Sequence, residues 1–335
     1  MMRVLIVRLG SLGDLVHTLP AVAAIRRAAP GAEIDWLVDA VHVEFLKLVP
    51  VLSNIVALDA RTASAWLDAR ARLRARRYDI ALDFQGLIKS AALARISGAT
   101  RVVGFDRAGL REGAAAFFYT EHVTTGDGRH VIDKNLQLAT AAGASTTNVE
   151  FPLRDVTSAA LEAVRSQVPG PVALINCGAA WPNKRWPADR FGRIAAWLRE
   201  HHGLSSIALW GPGEAALADA VVRASNGAAI AAPTTTLTDL VAFSRAAALM
   251  ISGDTGPTHI AAAVGTPIVA LFGPTTPGRN GPWDADDISL SRYDQCACHY
   301  ERRCRRDEAT WCLGTITEDH VRAAVSDRLA RSSKK

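Results

Sequence analysis

The sequence predicts an α/β protein made of two doubly wound parallel sheets, and three observations carry that expectation. Short apolar runs of strand length alternate with amphipathic helical stretches through both halves of the chain. The stretch Leu249–Thr275, LMISGDTGPTHIAAAVGTPIVALFGPT, reads as a complete βαβ unit. The length of 335 residues suits two domains, each with a full core, and FPLRDVTSAALEAVRSQVPGP between Phe151 and Pro171 reads as a crossover between them.

Taken in order, Arg3–Leu9 is a short apolar strand. Gly10-Ser11-Leu12-Gly13-Asp14 is the turn into a helix that repeats apolar residues at Leu15, Leu19, Val22 and Ile25 and stops at Pro30-Gly31. Open α/β sheets bind ligands at such turns, beyond the carboxyl ends of their strands. The spacing G-x-x-G-D is not the dinucleotide fingerprint G-x-G-x-x-G, which argues against a nicotinamide enzyme. Asp14 is read either as a helix cap or as a base aimed into a cleft, and position alone does not separate the two. Further strands are expected at Glu33–Val38, Ile55–Leu58, Ile80–Asp83 and Val102–Gly104.

From Arg61 to Arg111 there are eleven basic residues against four acidic ones. The arginines between Arg70 and Arg77 suit a solvated helix face. Lys89 follows a strand and a glycine turn in DFQGLIKSA. With Arg107 and Arg111 it could receive an acidic acceptor at a membrane surface, although mere exposure near a helix start explains it as well.

The second half restarts with a strand at Val172–Asn176, followed by a loop holding Trp181, Lys184 and Trp186 and a long amphipathic helix ending at Gly203. Lys184 can present a point charge to a phosphate, whereas the tryptophans suit packing. A strand at Ile207–Trp210 leads into GPGE, where Glu214 either meets ribose hydroxyls or complements a helix dipole. A strand near Ala228–Ala231 and a helix from Leu237 to Ala247 precede the βαβ unit. In that unit the helix opens near Pro257 and the second strand is Ile268–Phe272. A helix start carries unpaired N–H groups and partial positive charge, so Thr255, Gly256 and Thr258 frame a place for a diphosphate, with His259 one turn on. Asp254 would repel a phosphate; it is expected to cap the loop or to accept from sugar hydroxyls. A tight connection in a parallel sheet accounts for the same residues.

Composition excludes other classes. Hydrophobic residues make up 49% and charged ones 21%, and the net charge of +5 is mild, so nucleic acid is not the expected partner. The apolar run at the amino end is too short for a signal peptide, and no run reaches membrane-spanning length, which points to the cytosol. Four of the five cysteines, Cys296, Cys298, Cys304 and Cys312, form a C-x-C-x5-C-x7-C array within 294–314, beside His299, Arg302, Arg303, Arg305 and Arg306. A structural zinc or iron site and a set of free thiols are equally good readings of that spacing. Cys177 reads as a buried apolar residue. A helix at Glu318–Ala330 and a disordered Arg331–Lys335 tail close the chain.

Five segments together, Ser11–Ala21, Asp83–Ala91, Lys184–Pro187, Trp210–Glu214 and Ser252–Thr275, resemble the ADP-heptose:lipopolysaccharide heptosyltransferase family. The resemblance implies a GT-B fold, two Rossmann-like domains facing across a cleft, with an acceptor domain at 1–155 and a nucleotide-sugar domain at 168–317. It implies an inverting, metal-independent transfer from ADP-heptose to the lipopolysaccharide inner core, by a cytoplasmic enzyme that could sit on the inner face of the inner membrane. Residue by residue, Asp14 matches the family's general base and Lys184 its diphosphate lysine. Glu214 matches its ribose contact, and Asp254, Thr255, Gly256 and His259 its sugar-nucleotide loop. Lys89 and Arg111 match acceptor-side cations. Where related enzymes carry hydroxyl residues, this chain has Gly178 and Ala179. A transferase with another acceptor, a sugar-nucleotide epimerase and a non-catalytic binding protein remain as alternatives.

Overall fold

The computed structural model describes residues 1–59, 62–126, 128–304 and 311–332. Arg61, Arg305, Arg306 and residues 333–335, all named above, lie outside the described residues. The chain divides into two compact units at Arg154/Asp155.

Unit 1 holds β1 (Arg3–Val7), β2 (Glu33–Asp39), β3 (Asn54–Leu58), β4 (Ile80–Asp83), β5 (Arg101–Phe105) and β6 (Glu121–Val123) in one parallel sheet. Its strand order is β3-β2-β1-β4-β5-β6. The helices are α1 (Leu12–Ala28), α2 (Val43–Leu46), α3 (Ala63–Arg76), α4 (Ile88–Ile96) and α5 (Val131–Ala139). Strands covered on both faces can be apolar throughout, and Val4, Leu5, Ile6 and Val7 of β1 are wholly buried.

Unit 2 repeats the plan with β7 (Val172–Asn176), β8 (Ser205–Leu209), β9 (Ala229–Ala231), β10 (Leu249–Gly253), β11 (Ile268–Phe272) and β12 (Ile288–Ser291). The order β12-β11-β10-β7-β8-β9 is again parallel. Its helices are α6 (Ala159–Gln167), α7 (Ala188–His202), α8 (Ala215–Ala224), α9 (Leu237–Ala246), α10 (Gly256–Ala263), α11 (Pro277–Asn280) and α12 (Glu318–Ser332). Gly203 ends α7 with φ 66°, a left-handed position that glycine adopts without strain. Residues of β7, β8, β10 and β11 pack with Trp186, Phe191 and residues of α7, α8 and α12 in one core.

The expected fold class of two Rossmann-like doubly wound parallel sheets is therefore present. In each unit the first strand pairs with the fourth, and there the chain direction across the sheet reverses: β1 with β4, β7 with β10. Loops leaving the carboxyl ends of such a pair diverge and open a crevice. Some expectations need correcting. α1 begins at Leu12, so Asp14 lies inside its first turn. The tail expected to be disordered from Arg331 is helical through Ser332, where Arg331 pairs with Asp327 at 2.7 Å. No described helix is long and apolar enough to cross a membrane.

Candidate active site

In unit 1 the β1–α1 turn brings Asp14 to the switch point. Ser11 and Asp14 form a capping box: the Ser11 backbone N–H and Oγ both donate to Asp14 Oδ2 at 3.1 Å. Arg8 Nη2 meets Asp14 Oδ1 at 2.6 Å, and Arg8 Nη1 donates to the Phe84 carbonyl at the end of β4. The Asp14 side chain remains 28% exposed. Capping and access to a ligand thus coexist in one residue.

The neighbouring loops are tied to this turn. Leu9 N–H donates to Gln85 Oε1 at 2.7 Å. Asp83, fully buried at the end of β4, accepts from Ser90 Oγ and Tyr119 Oη at 2.8 Å each and from the Gln85 and Gly86 amides. Burial pushes the Asp83 carboxyl above its ordinary value, against the pull of those hydrogen bonds. Tyr119 can reach Asp83 because residue 104 is glycine, whose added Cβ would lie 2.2 Å from the tyrosine ring.

Lys89, in the first turn of α4, lies 5.8 Å from the Trp66 ring. Ile88 N–H donates to Glu112 Oε2 at 2.8 Å, which brings the loop carrying Arg111 against the start of α4. Arg107 runs along Gly113. All three cations are exposed, and among the described residues none has a carboxylate partner.

The switch point of unit 2 is closed by comparison. Asp254, after β10, is buried, with its side chain 3% exposed. Oδ2 receives Lys184 Nζ at 2.5 Å and Thr275 Oγ1 at 2.6 Å; Oδ1 receives Asn280 Nδ2 at 2.7 Å and lies 3.2 Å from His259 Nε2. Burial alone would raise its pKa, but the hydrogen bond from His259 and the Lys184 charge hold it well below the usual carboxylate range. Asp254 thus neither caps the loop nor stands as a bare repelling charge: it anchors Lys184, which also lies 4.5 Å from the Trp181 ring. Thr258 is buried, with its hydroxyl donating to the Gly253 carbonyl at 2.6 Å. Thr255 Oγ1 accepts from Asn176 Nδ2 at 3.0 Å and lies 3.1 Å from the Thr258 hydroxyl, but it accepts from no backbone amide of α10, so the first amides of that helix have no side-chain cap.

Glu214 precedes α8. Its Oε2 accepts from the Gly211 amide at 3.1 Å, and Oε1 lies 3.3 Å from Arg185 Nη2. A Cβ on residue 178 would lie 1.9 Å from Glu214 Oε2. Glycine at position 178 is what leaves room for that carboxylate.

Comparison with known proteins bears on the family and the fold. The profile of glycosyltransferase family 9 (heptosyltransferase) matches residues 66–310. A lipopolysaccharide heptosyltransferase 1 from Pseudomonas aeruginosa is 32% identical over 319 residues, covering 90% of this chain and 87% of that one. The chain belongs to glycosyltransferase family 9. A family 9 glycosyltransferase structure from Veillonella parvula superposes with TM-score 0.82 at 23% identity, over 98% of this chain and 97% of that one. The Escherichia coli heptosyltransferase WaaC, solved with ADP-2-deoxy-2-fluoro heptose, gives 0.76 at 24% identity over 97% and 99%. At those identities the two structures speak for the fold.

In this family 9 chain the four carboxyl-terminal cysteines gather in one cluster, with Cys296 Sγ and Cys298 Sγ 3.4 Å apart. Among the described residues, however, no group of three or more histidine, cysteine, aspartate or glutamate side chains is arranged to hold a metal ion. The expectation of a structural zinc or iron gains no support from this geometry. Burial and neighbouring thiols push Cys298 up to about 12. His299 stacks on Tyr293 and hydrogen-bonds its carbonyl. The segment braces the loop that carries Lys184: Asn183, next to it, donates to Cys298 Sγ and to the Glu301 carbonyl. Cys177 is buried, and burial raises its thiol to about 11. Trp186 is core, with Nε1 donating to the Ile316 carbonyl.

Sequence reading missed Arg8, Gln85, Asn176, Arg185, Thr275 and Asn280. All but Asn280, the last residue of α11, lie at or just beyond the carboxyl end of a strand or in a loop already suspected. Applying the carboxyl-end rule to every strand would have raised most of them.

Proposed function

We propose that this chain moves a heptose from ADP-L-glycero-D-manno-heptose to the inner core of lipopolysaccharide, on Kdo or on a first heptose, with inversion at the anomeric carbon. The observation that carries this reading is the near full-length relation to a protein named lipopolysaccharide heptosyltransferase 1. Asp14 supports the chemistry, as a partly exposed carboxylate at a switch point.

In the proposed step an acceptor hydroxyl attacks the anomeric carbon and gives its proton to Asp14 as the new C–O bond forms. The bond to the diphosphate oxygen breaks, and ADP leaves with the electron pair. Lys184 and the first amides of α10 stabilise that charge because they are held in place beforehand. Asp254 then serves as the anchor of Lys184, with His259 beside it, and Glu214 meets the ribose. Lys89, Arg107 and Arg111 receive the acidic acceptor, whose lipid would keep the enzyme on the inner face of the membrane. Because Lys184 and the helix start take the metal's usual role at a diphosphate, turnover is expected to survive EDTA.

The test is a panel of ADP-sugars and acceptors read by mass spectrometry. Heptose addition to a Kdo-terminated lipid core supports the reading. Transfer only to a protein or another glycan moves the acceptor assignment, and turnover of the nucleotide sugar with no acceptor present favours an epimerase. Nucleotide binding without any transfer makes the chain a binding protein.

A further inference from the structure

Arg8 is a cation buried at the switch point of unit 1, with 9% of its side chain exposed. Its backbone is pinned to β2, since its carbonyl accepts from Trp36 Nε1 at 2.9 Å and its N–H reaches the Leu37 carbonyl at 3.3 Å. The guanidinium spans two groups at the crevice, the Phe84 carbonyl through Nη1 and Asp14 Oδ1 through Nη2 at 2.6 Å. Its Nε is buried with no hydrogen-bond partner. A side chain serving only to pack β1 would not bring a full charge with an unfilled donor into this position, because a buried polar atom left unsatisfied is costly. The arrangement is explained if the charge itself is needed where Asp14 stands.

We infer that Arg8 is a positioning residue for the transfer, fixing one oxygen of Asp14 and keeping that carboxylate ionised until the acceptor arrives. The inference rests on the proposed reading of Asp14 as the base. Two restraints act on the carboxylate from opposite sides: Ser11 holds Oδ2 and Arg8 holds Oδ1. An opposite charge at this distance favours the ionised form. Once Asp14 has taken the acceptor's proton, Arg8 faces a neutral acid, which favours release of the proton to solvent and return of the base to its starting state.

Other titratable groups stand near. His17 follows Asp14 by one turn of α1 and meets His130, the N-cap of α5, edge-on at 5.7 Å between ring centroids. His42 approaches Gly10, and Asp39 is its charged neighbour. Burial lowers His42 against the opposing pull of Asp39. Arg8 is the cation paired with Asp14 Oδ1.

The experiment is a double-mutant cycle on the full chain with Arg8→Met, Arg8→Lys, Asp14→Asn and the pair R8M/D14N. Single-turnover rates from ADP-heptose, the pH profile of kcat/KM and ADP affinity are measured together. R8M is expected to lower the rate by tenfold or more and to move the acid limb upward by about one pH unit or more. R8K, which keeps the charge and loses the fork, is expected to restore the limb but only part of the rate. Adding R8M to D14N should cost nothing further, because Arg8 acts through that carboxylate, and ADP affinity should hold in every variant. If R8M lowers the D14N rate by the same factor as the wild type, or leaves the acid limb unmoved, the inference is overturned. If R8M does not fold, R8K and R8K/D14N decide by the same non-additivity. D14N turning over at the wild-type rate would instead remove the reading of Asp14 as base.

Discussion

The two sheets share one strand order and differ in what each puts at its switch point. In unit 2 the central carboxylate, Asp254, is sealed from solvent and held by Lys184, His259, Thr275 and Asn280. In unit 1 the corresponding edge is open: Asp14 is 28% exposed, and Lys89, Arg107 and Arg111 stand without carboxylate partners among the described residues. One topology therefore makes two crevices, and the loops decide the chemistry of each. A closed network suits a compact diphosphate that must be met the same way at every turnover. An open cationic edge suits a large acidic acceptor.

That contrast can be broken by mutation. The largest effect is expected for Asp14→Ala, a fall in turnover of about 10²–10⁴-fold with ADP affinity retained, read by steady-state kinetics beside calorimetric binding. Asp254→Ala should act on stability, costing about 3 kcal/mol in chemical denaturation because it leaves the Lys184 charge half-buried and unpaired. Its pH signature follows from the sign of the shift. The native carboxyl titrates below the unfolded value of about 3.9, so its contribution is complete above that value and lost as pH falls through it toward the native one. Below about pH 4 the wild-type melting temperature should therefore drop more steeply than that of Asp254→Asn.

Lys184→Ala is expected to slow transfer on the order of a hundredfold with little change in unit 1. Gly178→Ala is the mildest. The new methyl group displaces the flexible end of Glu214, so ADP affinity should weaken about tenfold while the melting temperature holds. Equal losses from Lys184→Ala and Gly178→Ala would show that the crevice of unit 2 is less finely built than its network suggests.

The central strands and the βαβ unit were legible because parallel strands covered on both faces must be continuously apolar. β11 begins and ends where its apolar run does. β6 and β12 were missed for the complementary reason: as edge strands of EHV and ISLS, both only half-buried, they carry no such run. The site was legible as single residues and not as a network. Asp254 stood out, but its partners Thr275 and Asn280 lie 21 and 26 residues further on, beyond another strand. Only the fold brings them within reach. Arg8 was hidden differently, as one charge just past the end of an apolar strand, where sequence shows the break in the run and not what it faces.

The most direct test of the account is the anomeric configuration of the product, followed by NMR from ADP-heptose of known configuration in the first turnovers. A single base and a direct displacement predict complete inversion. Retention of configuration would require a covalent intermediate and a second nucleophile, and would contradict the role assigned to Asp14.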